Sequence, residues 1–168
     1  MTARTLRGFR SSAGRTLAAL SLTVGVATAA QAERSALAGR WATQGFGSIV
    51  EFRPCAGAPE TMCGRIVWLW QERDADGRPR VDGQRPDPAA RNTPLLGIEI
   101  VRGLRELAPG AWGGGELYNP DDGRTYTGDL RVRGDQLELR GCALRIFCQT
   151  QTWRRPEAVI AAVQGLAP

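Results

Sequence analysis

The sequence predicts an all-β protein: an eight-stranded antiparallel up-and-down barrel followed by a short helix. Two observations carry this. Runs of alternating apolar and polar residues recur along the chain, separated by turns rich in Gly, Pro, Asn and Asp, and no helical period lies between them. At the centre, Trp112-Gly-Gly-Gly-Glu116-Leu-Tyr118 and Arg124-Thr-Tyr126 flank Asn119-Pro-Asp-Asp-Gly123. There Pro fixes φ, Asn and Asp bond back to the backbone, and Gly accepts a positive φ. Consecutive hairpins of this kind close into a barrel or fold into a sandwich. The two ends of the chain favour the barrel.

Residues 1–32 read as an address rather than part of the fold. Arg4, Arg7, Arg10 and Arg15 form a basic n-region without an acid, Leu17 to Ala29 is a short apolar segment, and Ala30-Gln31-Ala32 is a cleavage site. The apolar run is too short and wrongly flanked for a transmembrane anchor. No cysteine follows the cleavage site, as a bacterial lipid anchor requires, and the paired arginines of a twin-Arg signal are missing. The expectation is export by the general secretory route, a single mature domain over residues 33–168, and a location in the periplasm or outside the cell.

Cleavage also removes most of the net charge. The chain has 22 basic and 17 acidic residues; four of the basic ones lie in the leader, which leaves 18 against 17, a net of +1. That balance gives no reason to expect nucleic acid or an anionic membrane as a partner.

In order, Gly39-Arg40-Trp41 opens a first strand that reaches about Gln44, and Gly45-Phe46-Gly47 turns the chain. Ser48 to Arg53 is a second strand, ended by Pro54. Gly64 to Trp70 is the strongest β signal, with Ile66, Trp68 and Trp70 expected on one face and Val67 and Leu69 on the other. Residues 71–94 hold too many Pro, Gly and Asp for a regular element, and a loop of that length is often functional. Leu95 to Val101 is expected as the fourth strand, with Leu96, Ile98 and Ile100 alternating, and residues 102–110 as the turn into the central hairpin. Leu130 and Val132 pair with Leu137 and Leu139 across Gly134-Asp135, with Arg131, Arg133, Glu138 and Arg140 facing solvent. The last strand runs from about Phe147 to Arg154, and Glu157 to Leu166 suits a short helix.

Four cysteines in an exported chain argue for disulfides. Of the three pairings, Cys55–Cys63 and Cys142–Cys148 are favoured, because each brackets a short segment between predicted strands. A zinc site does not fit the spacing, and the chain has no histidine.

Gly39-x-Trp41 in the first strand, with Arg154 just past Trp153 of the last, resembles the closure of lipocalin-like (calycin) barrels, where an arginine from the last strand covers a tryptophan of the first. Gly39, Trp41, Trp153 and Arg154 are therefore expected as structural. A longer series occurs in order: Cys63-Gly64-Arg65-Ile66-Val67-Trp68, Pro86-Asp87-Pro88, Arg91, Pro94-Leu95-Leu96-Gly97, Trp112-x-Gly114-Gly115, Tyr118-x-Pro120-x-x-Gly123-x-Thr125-Tyr126, Gly141-Cys142 and Gln151-Thr152-Trp153-x-Arg155. It resembles the bacterial domain-of-unknown-function family 2147 over residues 39–155. Arg85 and Thr93 depart from the family's usual residues. The resemblance implies export and a small β-barrel, and brings no reaction or catalytic residue with it.

Without histidine there is no Ser-His-Asp triad and no Cys-His dyad. Glu116, Asp121, Asp122 and Asp129 are the remaining acid and base candidates, but turn chemistry accounts for Asp121 and Asp122. Asp74-x-Asp76-Gly77 lacks the further ligands of a calcium loop. The aromatics Trp68, Trp70, Trp112, Tyr118 and Tyr126 are the candidates for contact with a ligand, since a barrel of this size holds one small molecule. The expected function is non-catalytic binding of a small apolar or amphipathic ligand, without a cofactor or metal and with the 71–94 loop as lid. The alternatives are an envelope interaction module acting through that loop and, last, a hydrolase using carboxylates alone.

Overall fold

The computed structural model describes residues 36–143 and 147–163; the leader expected over residues 1–32 lies outside the described residues. Eight strands follow one another: β1 Gly39–Ala42, β2 Ser48–Cys55, β3 Ala58–Leu69, β4 Glu99–Ala108, β5 Ala111–Asn119, β6 Arg124–Arg133, β7 Gln136–Ala143 and β8 Phe147–Arg154. Each pairs antiparallel with the next, and β8 returns to β1, closing the barrel. A helix, α1, covers Pro156–Val163. The connections after β1, β3 and β5 gather at one end, the mouth, with the last residue of β7 and the first of β8. The tight turns after β2, β4 and β6 gather with α1 at the other, the base.

The base is sealed by a cation. Trp41 is fully buried and its indole N–H donates to the Leu37 carbonyl at 2.8 Å. The Arg155 guanidinium carbon lies 3.8 Å from the centre of the Trp41 ring. Its nitrogens donate to the carbonyls of Ala36, Ala38 and Arg40 at 2.6, 3.1 and 3.2 Å. Gly39 adopts φ +95°, and a Cβ there would stand 3.1 Å from the Arg155 nitrogen. Both the backbone conformation and the space call for glycine.

The sealing arginine is Arg155 and not Arg154, and strand alternation gives the reason. Trp153 points into the barrel, so Arg154 points out and Arg155 points in again, over the base. Arg154 contributes its backbone, as the partner of Ala42 in the only β1–β8 ladder pair among the described residues.

Two further expectations are corrected. Strand β4 begins four residues later than Leu95 and takes in most of the expected turn. Gly97 at φ +93° breaks the extended run, and Leu95 and Ile98 bury three residues apart on a turn in which Ile98 N–H donates to the Leu95 carbonyl. In β3, Ile49 pairs with Trp68 but Val50 pairs with Ile66, so a bulge inserts one residue. Ile66 is buried, whereas Trp68 and Trp70 are 41% and 72% exposed. They do not share the inward face of Ile66.

Both disulfides take the favoured pairing, Cys55–Cys63 across the β2–β3 hairpin and Cys142–Cys148 between opposed residues of β7 and β8. The lower half of the barrel is packed solid by Phe52, Met62, Leu104, Trp112, Leu130 and Leu137, all at most 4% exposed. Phe52 packs at a tilt against Trp153, with ring centres 6.3 Å apart and 45° between the ring planes.

Replacing Arg155 removes a cation–π contact and three charge-assisted bonds to carbonyls. Arg155→Ala should cost about 2–4 kcal/mol, read as a fall in the urea midpoint. Arg154→Ala, on the outer face, should cost less than about 0.5 kcal/mol.

Candidate functional site

Above this packed half the barrel is hollow. A cavity of about 890 Å³ opens at the mouth, and its inner wall consists of Ile66, Leu69, Val101, Leu117, Leu139 and Trp153. Glycines shape its wall. Gly115 pairs with Gly128 and Gly128 with Gly141, so one row across β5, β6 and β7 carries no side chains. Leucines occupy two of these places: a Cβ on Gly115 would come within 2.7 Å of Leu104 and one on Gly128 within 2.2 Å of Leu117, whereas one on Gly141, which borders the cavity, would meet Leu117 at 3.5 Å.

The rim is polar. Thr43, Gln44, Ser48, Arg80, Asn119, Asp121, Asp122, Arg124, Gln149 and Gln151 border the cavity, together with Tyr118 and Tyr126. One side is a seam rather than a sheet. Beyond Ala42 the chain leaves β8, and the Thr152 N–H is taken instead by the Gln44 side-chain oxygen at 3.1 Å. Residues 43–48 and 147–151 face each other across the cavity there.

Residues 70–98 reach across the mouth and are tied to the central hairpin. Asp82, fully buried, accepts a 2.8 Å hydrogen bond from the Tyr118 hydroxyl, and its other oxygen stands 3.0 Å from Arg85 Nε. The Arg85 guanidinium lies 5.4 Å from the centre of the Tyr118 ring, and Arg91 Nε donates to the Arg85 carbonyl at 2.9 Å. The backbone N–H of Asp82 donates to Thr93 and that of Leu95 to Arg80. Gly123, at φ +68°, has the Gln84 carbonyl so close that any Cβ would overlap it. Arg85 and Thr93, the two departures from the family pattern, thus both take part in holding this loop.

The two tyrosines differ in environment. Burial, and then the bond to Asp82, raise the Tyr118 pKa above the usual phenol value. The hydrogen bond that Tyr126 donates to Asp122 raises its pKa as well. Burial alone would raise Asp122, but bonds from the Tyr126 hydroxyl, the Arg124 N–H and the Asn119 side chain hold its carboxyl below the usual range.

Of the five aromatic candidates, the structure brings Tyr118 and Tyr126 together at the cavity. Trp112 is buried in the packed half, and Trp68 and Trp70 stand outside the wall. The carboxylates do not converge. Asp121 and Asp122 border the mouth, Glu116 lies in a separate depression of about 340 Å³ with Arg85, Asp87 and Arg102, and Asp129 is exposed beside Gly113. Asp82 had no sequence signal, since its surroundings read as a solvated loop. Leu117 and Leu139 carried one, the alternation of their strands.

Tyr118→Phe removes one of the two side-chain partners of a fully buried carboxylate. It should cost about 1–3 kcal/mol and speed hydrogen exchange at the Asp82 and Leu95 amides. Exchange in β6 and β7 should stay as it is.

No curated protein matches the chain. Among solved structures, it is similar to "Protein HP1028 from the human pathogen Helicobacter pylori belongs to the lipocalin family", with a TM-score of 0.59 and 24% identity over 79% of this chain and 90% of that one. At that identity the likeness shows the fold, a lipocalin-like barrel. The family model described as "Uncharacterized protein conserved in bacteria (DUF2147)" matches residues 39–155, so the chain belongs to the DUF2147 family.

Proposed function

We propose that the protein is an exported, non-catalytic carrier that takes one small amphipathic molecule into the upper half of its barrel. The observation that carries this is the cavity: about 890 Å³, within the range of small-molecule pockets, apolar inside and polar at its rim. The apolar part of the ligand lies against Ile66, Val101, Leu117 and Leu139. Its polar end stays among Arg80, Asn119, Asp121, Arg124 and Gln149. Tyr118 and Tyr126 form the wall between the two zones, and the loop of residues 70–98 flanks the entrance.

Absence of catalysis is supported by a chain without histidine, by both cysteine pairs being bonded, and by carboxylates that sit apart. Periplasmic location is supported by the leader's composition and by two disulfides, which persist in oxidising compartments. No helix among the described residues is long and apolar enough to cross a membrane. The lipocalin-family neighbour, similar in fold, is in keeping with a binding role. Docking to a protein through the 71–94 loop has less support, because the buried charges of that loop engage one another and the hairpin.

Gly141 offers the test. A Cβ there meets Leu117 and Tyr126 at ordinary contact distance, so Gly141→Leu extends into the empty space without displacing backbone. Uptake of the fluorophore anilinonaphthalene sulfonate should weaken by about tenfold or more, equivalent to about 1.4 kcal/mol, while the urea midpoint holds. Trp68→Ala should leave uptake unchanged. Undiminished uptake in Gly141→Leu would refute the reading.

A further inference from the structure

The aromatic candidates that failed to line the cavity have a common location. Eight large apolar residues among those described are exposed, and six of them cluster at the mouth: Phe46, Trp68, Trp70, Val81, Leu96 and Phe147. Each adjoins a residue that borders the cavity, or borders it itself. Phe46 sits between Gln44 and Gly47, Trp68 and Trp70 flank Leu69, Val81 follows Arg80, Leu96 follows Leu95, and Phe147 is on the border. The other two, Leu107 and Ile160, lie elsewhere, on β4 and α1.

These side chains are held out rather than merely left out. Phe46 is the one non-glycine residue with positive φ among those described, at +58°, and it is 45% exposed. For an aromatic residue this backbone is unfavourable. The Trp70 backbone is fixed by its main-chain N–H donating to the Gly47 carbonyl at 2.9 Å, and the indole stands edge-on to Trp68, ring centres 6.1 Å apart. The bulge in β3 is what turns both indoles outward. Exposed apolar surface gathered in this way marks an interaction site.

We infer that this rim docks the protein, mouth first, on the surface of a lipid bilayer. Three features favour a bilayer over a protein partner. The side chains rise from four separate segments around an opening, an arc of knobs and not a groove. A fluid interface accepts such knobs individually, whereas a protein would need a matching pocket for each. Tryptophan, with an apolar ring and an N–H, is suited to the headgroup boundary. Finally, residues 43–47, 70–98 and 119–124 together hold six arginines and seven acids. With a net of −1 the mouth has no positive charge to draw it to an acidic protein or an anionic surface, and its attachment is apolar. The cavity opens inside the arc, so an apolar tail passes from bilayer to barrel without crossing water. Docking through this rim does not depend on the proposed carrier role.

The test uses the mature protein and vesicles of phosphatidylcholine, a zwitterionic lipid. Of the five tryptophans, Trp41, Trp112 and Trp153 are buried, so a change in emission reports on Trp68 and Trp70. The expected result is a blue shift with co-sedimentation, quenching by lipids brominated on the acyl chain, and indifference to added salt. Trp68→Ser with Trp70→Ser should weaken partition by about tenfold or more. It should leave the urea midpoint and anilinonaphthalene sulfonate uptake unchanged, so that loss of docking and loss of the cavity are told apart. Three results would overturn the inference: no association of the folded protein with these vesicles, association that survives the double substitution, or association confined to anionic vesicles and abolished by salt. A concentration-dependent dimer that the double substitution dissolves would assign the rim to a second copy instead.

Discussion

A guanidinium group does for this barrel what a ladder of hydrogen bonds does for most. Strand β1 is four residues long and shares one pair with β8, too little to hold a closed sheet. Arg155 supplies the rest, stacked on Trp41 and bonded to three carbonyls of the segment that precedes and enters β1. A planar fork with several fixed donors fits this task, and a lysine could reach fewer of the carbonyls at once. Closure at the base releases the upper part of the seam. There β8 is free of β1, and the wall between residues 43–48 and 147–151 opens onto the cavity.

The interior divides according to side-chain size. Below, tryptophan, phenylalanine and leucine fill the section, in keeping with the density of protein cores. Above, the row Gly115, Gly128 and Gly141 withdraws three side chains at one level; Leu104 packs over Gly115, Leu117 over Gly128, and Gly141 borders the cavity. Such a row lowers the β propensity of three neighbouring strands. The disulfide at Cys142–Cys148 and the anchored hairpin tip lie next to the weakened region and stiffen it. The buried Asp82 belongs to the same arrangement. Its desolvation is offset by Tyr118 and Arg85 together, which ties the loop of residues 70–98 to the central hairpin.

Much of the architecture was legible because strands and turns are local. Alternation in β6 and β7, the span of β8, the Asn119 to Gly123 turn and the cysteine spacings each depend on a few neighbouring residues, and each appears as expected. Parity was harder. Arg154 and Arg155 differ by one position, and only the inward placement of Trp153 decides between them. The faces of Trp68 and Trp70 depended on a bulge that has no mark in Gly64 to Trp70 itself. Gly97 hid the start of β4, since a single positive φ converts an apparent alternation into a turn. Of the five aromatics named as ligand contacts, Tyr118 and Tyr126, which flank the central turn, border the cavity. Asp82 was not named, because a solvated loop and a buried anchor look alike until their partner, thirty-six residues away, is in place.

The central claim is that the upper barrel is a binding cavity for an amphipathic molecule. Native mass spectrometry of the mature protein, mixed with a total lipid extract and freed of detergent, tests it most directly. The account predicts a single adduct per chain that disappears on denaturation and is absent when Leu139, on the inner wall, is replaced by Trp. A bare mass for the folded protein across all lipid fractions, or an adduct that Leu139→Trp leaves untouched, would contradict it.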